Sequence, residues 1–155
     1  MSKFNFVLDV DGVMTSGKFL YNDQGKVMKE FGPHDAYSLK KIREHVNIFF
    51  ISADERGFKI SKKRIADIGF SIDLVPEDYR YSYIENNFSF ENLIYMGDGD
   101  ADAQILKDAF IGIAPANSRP NALEVANYIT KAIGGEGAVA EACDYLQREV
   151  IDKTA

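Results

Sequence analysis

The sequence predicts an α/β fold in three layers, with a mostly parallel sheet between two sets of helices. Short apolar runs rich in β-branched and aromatic residues alternate with helix-period segments over most of the chain. The strongest of these runs read as strands buried by helices on both faces. A third observation is one break in the alternation. Residues 17–31, GKFLYNDQGKVMKEF, hold two short runs around Asn22-Asp23-Gln24-Gly25, which is turn chemistry for a β-hairpin inserted after the first strand.

Taken in order, residues 4–10 (FNFVLDV), 47–51 (NIFFI) and 92–96 (NLIYM) are the clearest strands. Weaker runs lie at 71–75, 109–113 and 127–130. Helical patterns fall between them. Residues 35–45 carry Tyr37, Leu39, Ile42 and His45, and residues 57–68 carry Phe58, Ile60, Ile65 and Ile68. Segments 78–87, 101–108 and 118–126 are further helix candidates. Over 136–150, Ala138, Val139, Ala142, Cys143, Leu146 and Val150 follow the i, i+3, i+4 spacing of a helix with one buried stripe. The arrangement is Rossmann-like. The 155 residues are expected to form a single domain with no separate cap.

Composition narrows the function. A net charge of −6 argues against a nucleic-acid binder, and Lys59, Lys62, Lys63 and Arg64 read as a solvated helix face. The one cysteine, Cys143, rules out an internal disulfide and fits a reducing cytoplasm. No apolar run approaches the ~20 residues that span a bilayer. The first residues, MSKFNFVLDVDG, have too short an apolar stretch for a signal peptide.

Three strand ends carry the chemistry. Asp9-Val10-Asp11-Gly12 closes the first strand, and Asp9 and Asp11 share one side if the chain stays extended. Two carboxylates about 4 Å apart repel by about 4 kcal/mol at an effective dielectric of about 20, a cost that a cation or a proton relieves. Gly97-Asp98-Gly99-Asp100-Ala101-Asp102 follows another strand, with Asp98 and Asp102 four apart; hard cations such as Mg²⁺ prefer such oxygen ligands. Each cluster alone also reads as a strand-end or helix-start cap. Ser52, after a third strand, can offer a hydroxyl and a backbone N–H to a phosphate. All three lie where open α/β sheets bind ligands.

With these motifs the chain resembles the haloacid dehalogenase superfamily. Asp9-x-Asp11-Gly12-Val13-x-Thr15 matches its first motif, Ser52 its second, and Gly97-Asp98-x-x-x-Asp102 its fourth. A closer likeness covers nearly the whole chain. It is to the capless phosphatases of 3-deoxy-D-manno-octulosonate 8-phosphate and of nonulosonate 9-phosphates. It is carried by the hairpin, by His34-Asp35-Ala36-Tyr37, and by Gly134-Gly135-Glu136-Gly137-Ala138-Val139. Arg80 stands where that family usually has the lysine of its third motif. Ser52-Ala53-Asp54 stands where Thr-Gly followed by Arg or Glu is common, and Asp35-Ala36 replaces a usual Asp-Gly.

The resemblance implies a phosphatase of a small phosphorylated sugar acid, with Mg²⁺ held by Asp9, the backbone carbonyl of Asp11, and Asp98. It implies Asp9 as nucleophile, Asp11 as general acid and base, Ser52 and Arg80 as holders of the phosphoryl group, and Asp102 as support. It places His34, Asp35 and Ala53 near the substrate. It also implies a homotetramer in which the hairpins meet and a neighbour helps close each site. Phe19, Leu20, Val27, Met28 and Phe31 are the apolar residues available for that contact. The rival reading is a non-catalytic domain of the same fold serving as an oligomerisation or regulatory module.

Overall fold

The computed structural model describes residues 3–154. Six parallel strands form one sheet in the order β5-β4-β1-β6-β7-β8. They are β1 (Asn5–Asp9), β4 (Asn47–Ser52), β5 (Ile72–Leu74), β6 (Leu93–Met96), β7 (Ile111–Ala114) and β8 (Tyr128–Ile129). The chain winds outward from β1 in one direction and then returns to β6 on its other side. That reversal leaves a crevice at the carboxyl ends of β1 and β6, the usual ligand position in doubly wound sheets.

Side-chain alternation along the strands divides the core. Phe6 and Leu8 of β1, with Ile94 and Met96 of β6, pack under α1 (Asp35–Ile42), α2 (Phe58–Asp67) and α6 (Ala138–Leu146). Val7, Leu93 and Tyr95 point the other way, toward α3 (Arg80–Asn87), α4 (Ala103–Asp108) and α5 (Pro120–Val125). Asp9 is two residues on from Val7 and so emerges on the α3 side, whereas Ser52 follows Phe50 toward the α2 side.

The hairpin forms as the turn chemistry predicts, from antiparallel β2 (Phe19–Asn22) and β3 (Gly25–Lys29), with a register shift between Leu20 and Tyr21. The Gln24 N–H donates to Asn22 Oδ1, and Gly25 takes φ 111, which an L side chain rarely adopts. Leu20, Tyr21 and Met28 are 61–64% exposed. Phe31 departs from this group: it packs against the chain's own core beneath the Arg64 guanidinium.

Differences from the sequence reading are at element ends. Single-turn 3-10 segments precede α3 and α4, at Glu77–Tyr79 and Asp100–Asp102. The last helix passes to π pitch over Gln147–Ile151, where Val150 and Ile151 are both buried, and ends with α7 (Asp152–Thr154). Among the described residues no helix is long and apolar enough to cross a membrane.

α1 and α6 are joined by a buried carboxylate. Asp35 Oδ1 accepts the N–H of Ala140, one of the donors that the first turn of α6 cannot satisfy itself, while Oδ2 has no hydrogen-bond partner among the described residues. Burial pushes this carboxyl from 3.8 up to about 6, against the pull of the Ala140 N–H. Between those values the folded protein binds more protons than the unfolded chain. Stability therefore falls as pH rises from about 4 to about 6 and then levels, by about 3 kcal/mol in all. Asp35→Asn keeps an acceptor for Ala140 and cannot ionise. Urea unfolding of the variant is predicted to lose the Asp35 share of that slope, leaving what Asp9 and Asp98 contribute; a loss between pH 4 and pH 6 as large as wild type's would contradict the account.

Candidate active site

The turn that follows β1 is fastened from within. The carbonyl of Val10 accepts the N–H groups of Val13, Met14 and Thr15, while Thr15 Oγ1 accepts those of Gly12 and Gly17 at 3.2 and 3.1 Å. Thr15 is fully buried, so its hydroxyl replaces water for two backbone donors. Gly12 has φ 84, and a Cβ there would fall 1.8 Å from Asp98 Oδ2. Only glycine lets the loops after β1 and β6 approach this closely.

At the floor of the crevice Asp102 organises the charges. Its Oδ1 accepts Arg80 Nη1 at 2.7 Å and the hydroxyl of Tyr95; its Oδ2 accepts the N–H groups of Asp98 and Gly99 at 3.0 and 2.9 Å. Arg80 Nη1 also reaches Asp9 Oδ2 at 3.3 Å, and the other Asp9 oxygen accepts the Val10 N–H at 2.8 Å. Arg80 opens α3 and is only 3% exposed, with Nε unpartnered.

Carboxylate oxygens of Asp9, Asp98 and Asp102 lie within 4.8 Å of one another. The Asp102 oxygens are already taken by four donors, so a cation would fall to Asp9 and Asp98. Burial pushes the Asp9 carboxyl well above the usual carboxylate range, opposed by Arg80 and reinforced by Asp102 and Asp98. Burial likewise, with Asp102 next, raises Asp98 from 3.8 to about 6. Two buried acids that resist ionisation side by side fit a divalent cation held between them.

The cleft above these groups has a volume of about 530 Å³ and is lined by Asp9, Asp11, Arg80, Asp98 and Asp102 together with Ala53, Asp54, Phe19 and Lys26. The acids predicted from the β1 and β6 ends, and Arg80, therefore converge. Ser52 is fully buried; its Oγ accepts the Asp54 N–H at 3.1 Å, and Ala53 and Asp54 face the cleft in its place. His34 and Asp35 do not line this cleft within one chain. His34 is exposed with φ 75, and the Asp35 carboxylate is committed to α6.

Several residues of the site escaped the sequence reading. Lys29 Nζ meets Asp11 Oδ1 at 2.9 Å, and Lys26 and Lys29 meet Asp54 Oδ2 at 2.7 and 2.8 Å. Burial alone would raise Asp54, but the two lysines hold it at about 2. Asn117 bridges two loops, donating to the Gly12 carbonyl at 3.0 Å and accepting the Gly134 N–H at 2.8 Å. Tyr95 had been read only as strand core. The spacing of the hairpin lysines carried no signal of where the hairpin would fold.

Comparison with known proteins agrees with this geometry. A profile of haloacid dehalogenase-like hydrolases matches residues 79–142. The 3-deoxy-D-manno-octulosonate 8-phosphate phosphatase KdsC of Yersinia pestis is 29% identical over 146 residues, covering 90% of this chain and 77% of that protein. A crystal structure of a probable YrbI family phosphatase from Pseudomonas syringae pv. phaseolica superposes with a TM-score of 0.83 at 28% identity, over 98% of this chain and 89% of the other. The cobalt-bound form of the deoxy-D-mannose-octulosonate 8-phosphate phosphatase from Haemophilus influenzae gives 0.79 at 25%, over 94% and 88%. Strand order, the acids at the ends of β1 and β6, and these comparisons together make the chain similar to the haloacid dehalogenase-like hydrolases.

Proposed function

We propose that the protein is a Mg²⁺-dependent phosphatase of small sugar-acid phosphates, of the 3-deoxy-octulosonate 8-phosphate or nonulosonate 9-phosphate type. The observation that carries this is the Asp9 carboxylate, buried beside the Arg80 guanidinium and facing Asp98 at the open end of the sheet. The similar phosphatases act on phosphorylated octulosonates, and one is known in a cobalt-bound form. That likeness supports the substrate class and the divalent metal. The non-catalytic rival has no observation in its favour, and the acids gathered around the Arg80 guanidinium support the catalytic reading.

Asp9, the Asp11 carbonyl and Asp98 would hold Mg²⁺, whose charge offsets the repulsion between an attacking carboxylate and an anionic ester. Asp9 attacks phosphorus in line, forming an aspartyl phosphate as the bond to the sugar oxygen breaks. Asp11 gives that oxygen a proton, then takes one from the water that cleaves the acyl phosphate. The free N–H groups of Arg80 hold phosphoryl oxygens, and its bond to Asp102 keeps the guanidinium plane fixed. Ser52 serves the phosphoryl group through the loop it anchors, and Ala53 borders the substrate.

We read residues 1–155 as one capless domain and the working form as a cytoplasmic homotetramer. The exposed apolar face of the hairpin supports the assembly, since Leu20, Tyr21 and Met28 otherwise remain in water. No partner nucleic acid or membrane is proposed.

Phosphate release from a panel of octulosonate and nonulosonate phosphates tests the reading. Asp9→Asn is predicted to lower turnover by at least about 1,000-fold in the presence of Mg²⁺; residual activity near wild type would refute the nucleophile. Arg80→Ala should cost about 100-fold or more in kcat, and a wild-type rate would remove Arg80 from the site. In sedimentation, four chains are expected to travel together. A stable, fully active monomer would end the tetramer proposal.

A further inference from the structure

Lys29 belongs to the hairpin, yet its side chain is completely withdrawn from solvent. Its ammonium lies 2.9 and 3.1 Å from the two Asp11 carboxylate oxygens, 2.8 Å from Asp54 Oδ2 and 2.8 Å from Ser61 Oγ. The ammonium donates hydrogen bonds to Asp11 Oδ2 and Ser61 Oγ, and Asp54 Oδ2 adds an ion pair. Those partners sit on the turn after β1, on the loop between β4 and α2, and on α2 itself. Ser61 is fully buried, although half of the residues of its helix are charged. Space for the arm is made at Gly57, where a Cβ would fall 2.8 Å from Lys29 Cε and 2.4 Å from Asp54 Oδ2. Lys26 also binds Asp54, so Asp54 is shared between the two lysines, whereas among the described residues Asp11 has Lys29 alone. Asp11 keeps 29% of its side chain exposed and lines the cleft.

We infer that Lys29 is a positioning residue that holds the Asp11 carboxylate in the orientation needed for proton transfer. The hairpin's seat on the domain thereby sets how well the acid and base work. This rests on the phosphatase reading above, in which Asp11 serves the leaving oxygen. A lysine that merely anchored the hairpin would slow every substrate alike. One that orients Asp11 matters most where the leaving group needs a proton.

The test compares single-turnover cleavage of a sugar-acid or alkyl phosphate with that of p-nitrophenyl phosphate, whose leaving group departs without a proton. Lys29→Met is expected to slow the alkyl ester by about 100-fold, while the first release of nitrophenolate falls by less than about fivefold and is followed by slow turnover as Asp11 fails as base. Equal losses on both esters, or no loss on either, overturn the inference. Should Lys29→Met not fold, Ser61→Ala decides. It leaves the ammonium in place but loosens it, and the ratio of alkyl to nitrophenyl rates should fall at least about threefold; an unchanged ratio overturns the inference. Wild-type protein that cleaves neither ester with Mg²⁺ overturns the phosphatase reading as well, whereas an active wild type with a uniformly slowed variant overturns only the role of Lys29.

Discussion

The site depends on one buried guanidinium. Arg80 stands between Asp9 and Asp102 with almost no access to water, and it is the cation nearest to a group of acids that burial would otherwise neutralise. Burial works against its charge, but Asp9, Tyr95 and Asp102 outweigh burial and hold the proton more firmly than on a free arginine. Removing one partner from such a network costs about 3–5 kcal/mol, because the remaining charge is left buried without compensation. The arrangement therefore fixes Asp9 in place while leaving it short of positive charge. A divalent ion completes the balance.

Asp102 explains why this balance does not collapse into an ordinary ion pair. Four donors surround its two oxygens, from α3, β6 and the loop after β6. A carboxylate with its lone pairs filled is a fixed part of the scaffold. Arg80 can then share Nη1 with Asp9 only at the longer distance, 3.3 Å against 2.7 Å, so Asp9 is held less firmly than Asp102. The same division of labour recurs on the other wall. Lys26 and Lys29 fix Asp54, and among the described residues Lys29 alone reaches Asp11.

Much of this was legible before any coordinates. The parallel sheet was readable because runs such as FNFVLDV and NLIYM hold consecutive apolar residues rather than alternate ones, and the hairpin because Asn22-Asp23-Gln24-Gly25 joins two short runs that break the strand-helix alternation. Asp9, Asp98 and Asp102 were readable because two acidic clusters and Ser52 fall together at strand ends where open α/β sheets bind ligands, although each cluster alone also reads as a cap. Element ends were less clear. The 3-10 turns before α3 and α4 run directly into those helices, so the sequence pattern does not mark where one pitch passes into the other. His34 and Asp35 were placed by likeness alone. In one chain Asp35 is drawn instead to the unsatisfied N–H of Ala140.

By itself the sequence determined which strand ends carry acids, because that follows from local pattern: hydrophobic run, carboxylate, glycine. Likeness to the haloacid dehalogenase superfamily suggested Arg80 as the residue in place of a lysine. Only the tertiary structure decided what these groups touch. Lys29 is 18 residues from Asp11 and 32 from Ser61, and Asn117 is 105 from Gly12. Contacts at such separations depend on how the hairpin and the loops fold back over the sheet. Nothing in the spacing of charged residues encodes that path, because an exposed lysine and a buried one look the same until the packing that excludes water is known.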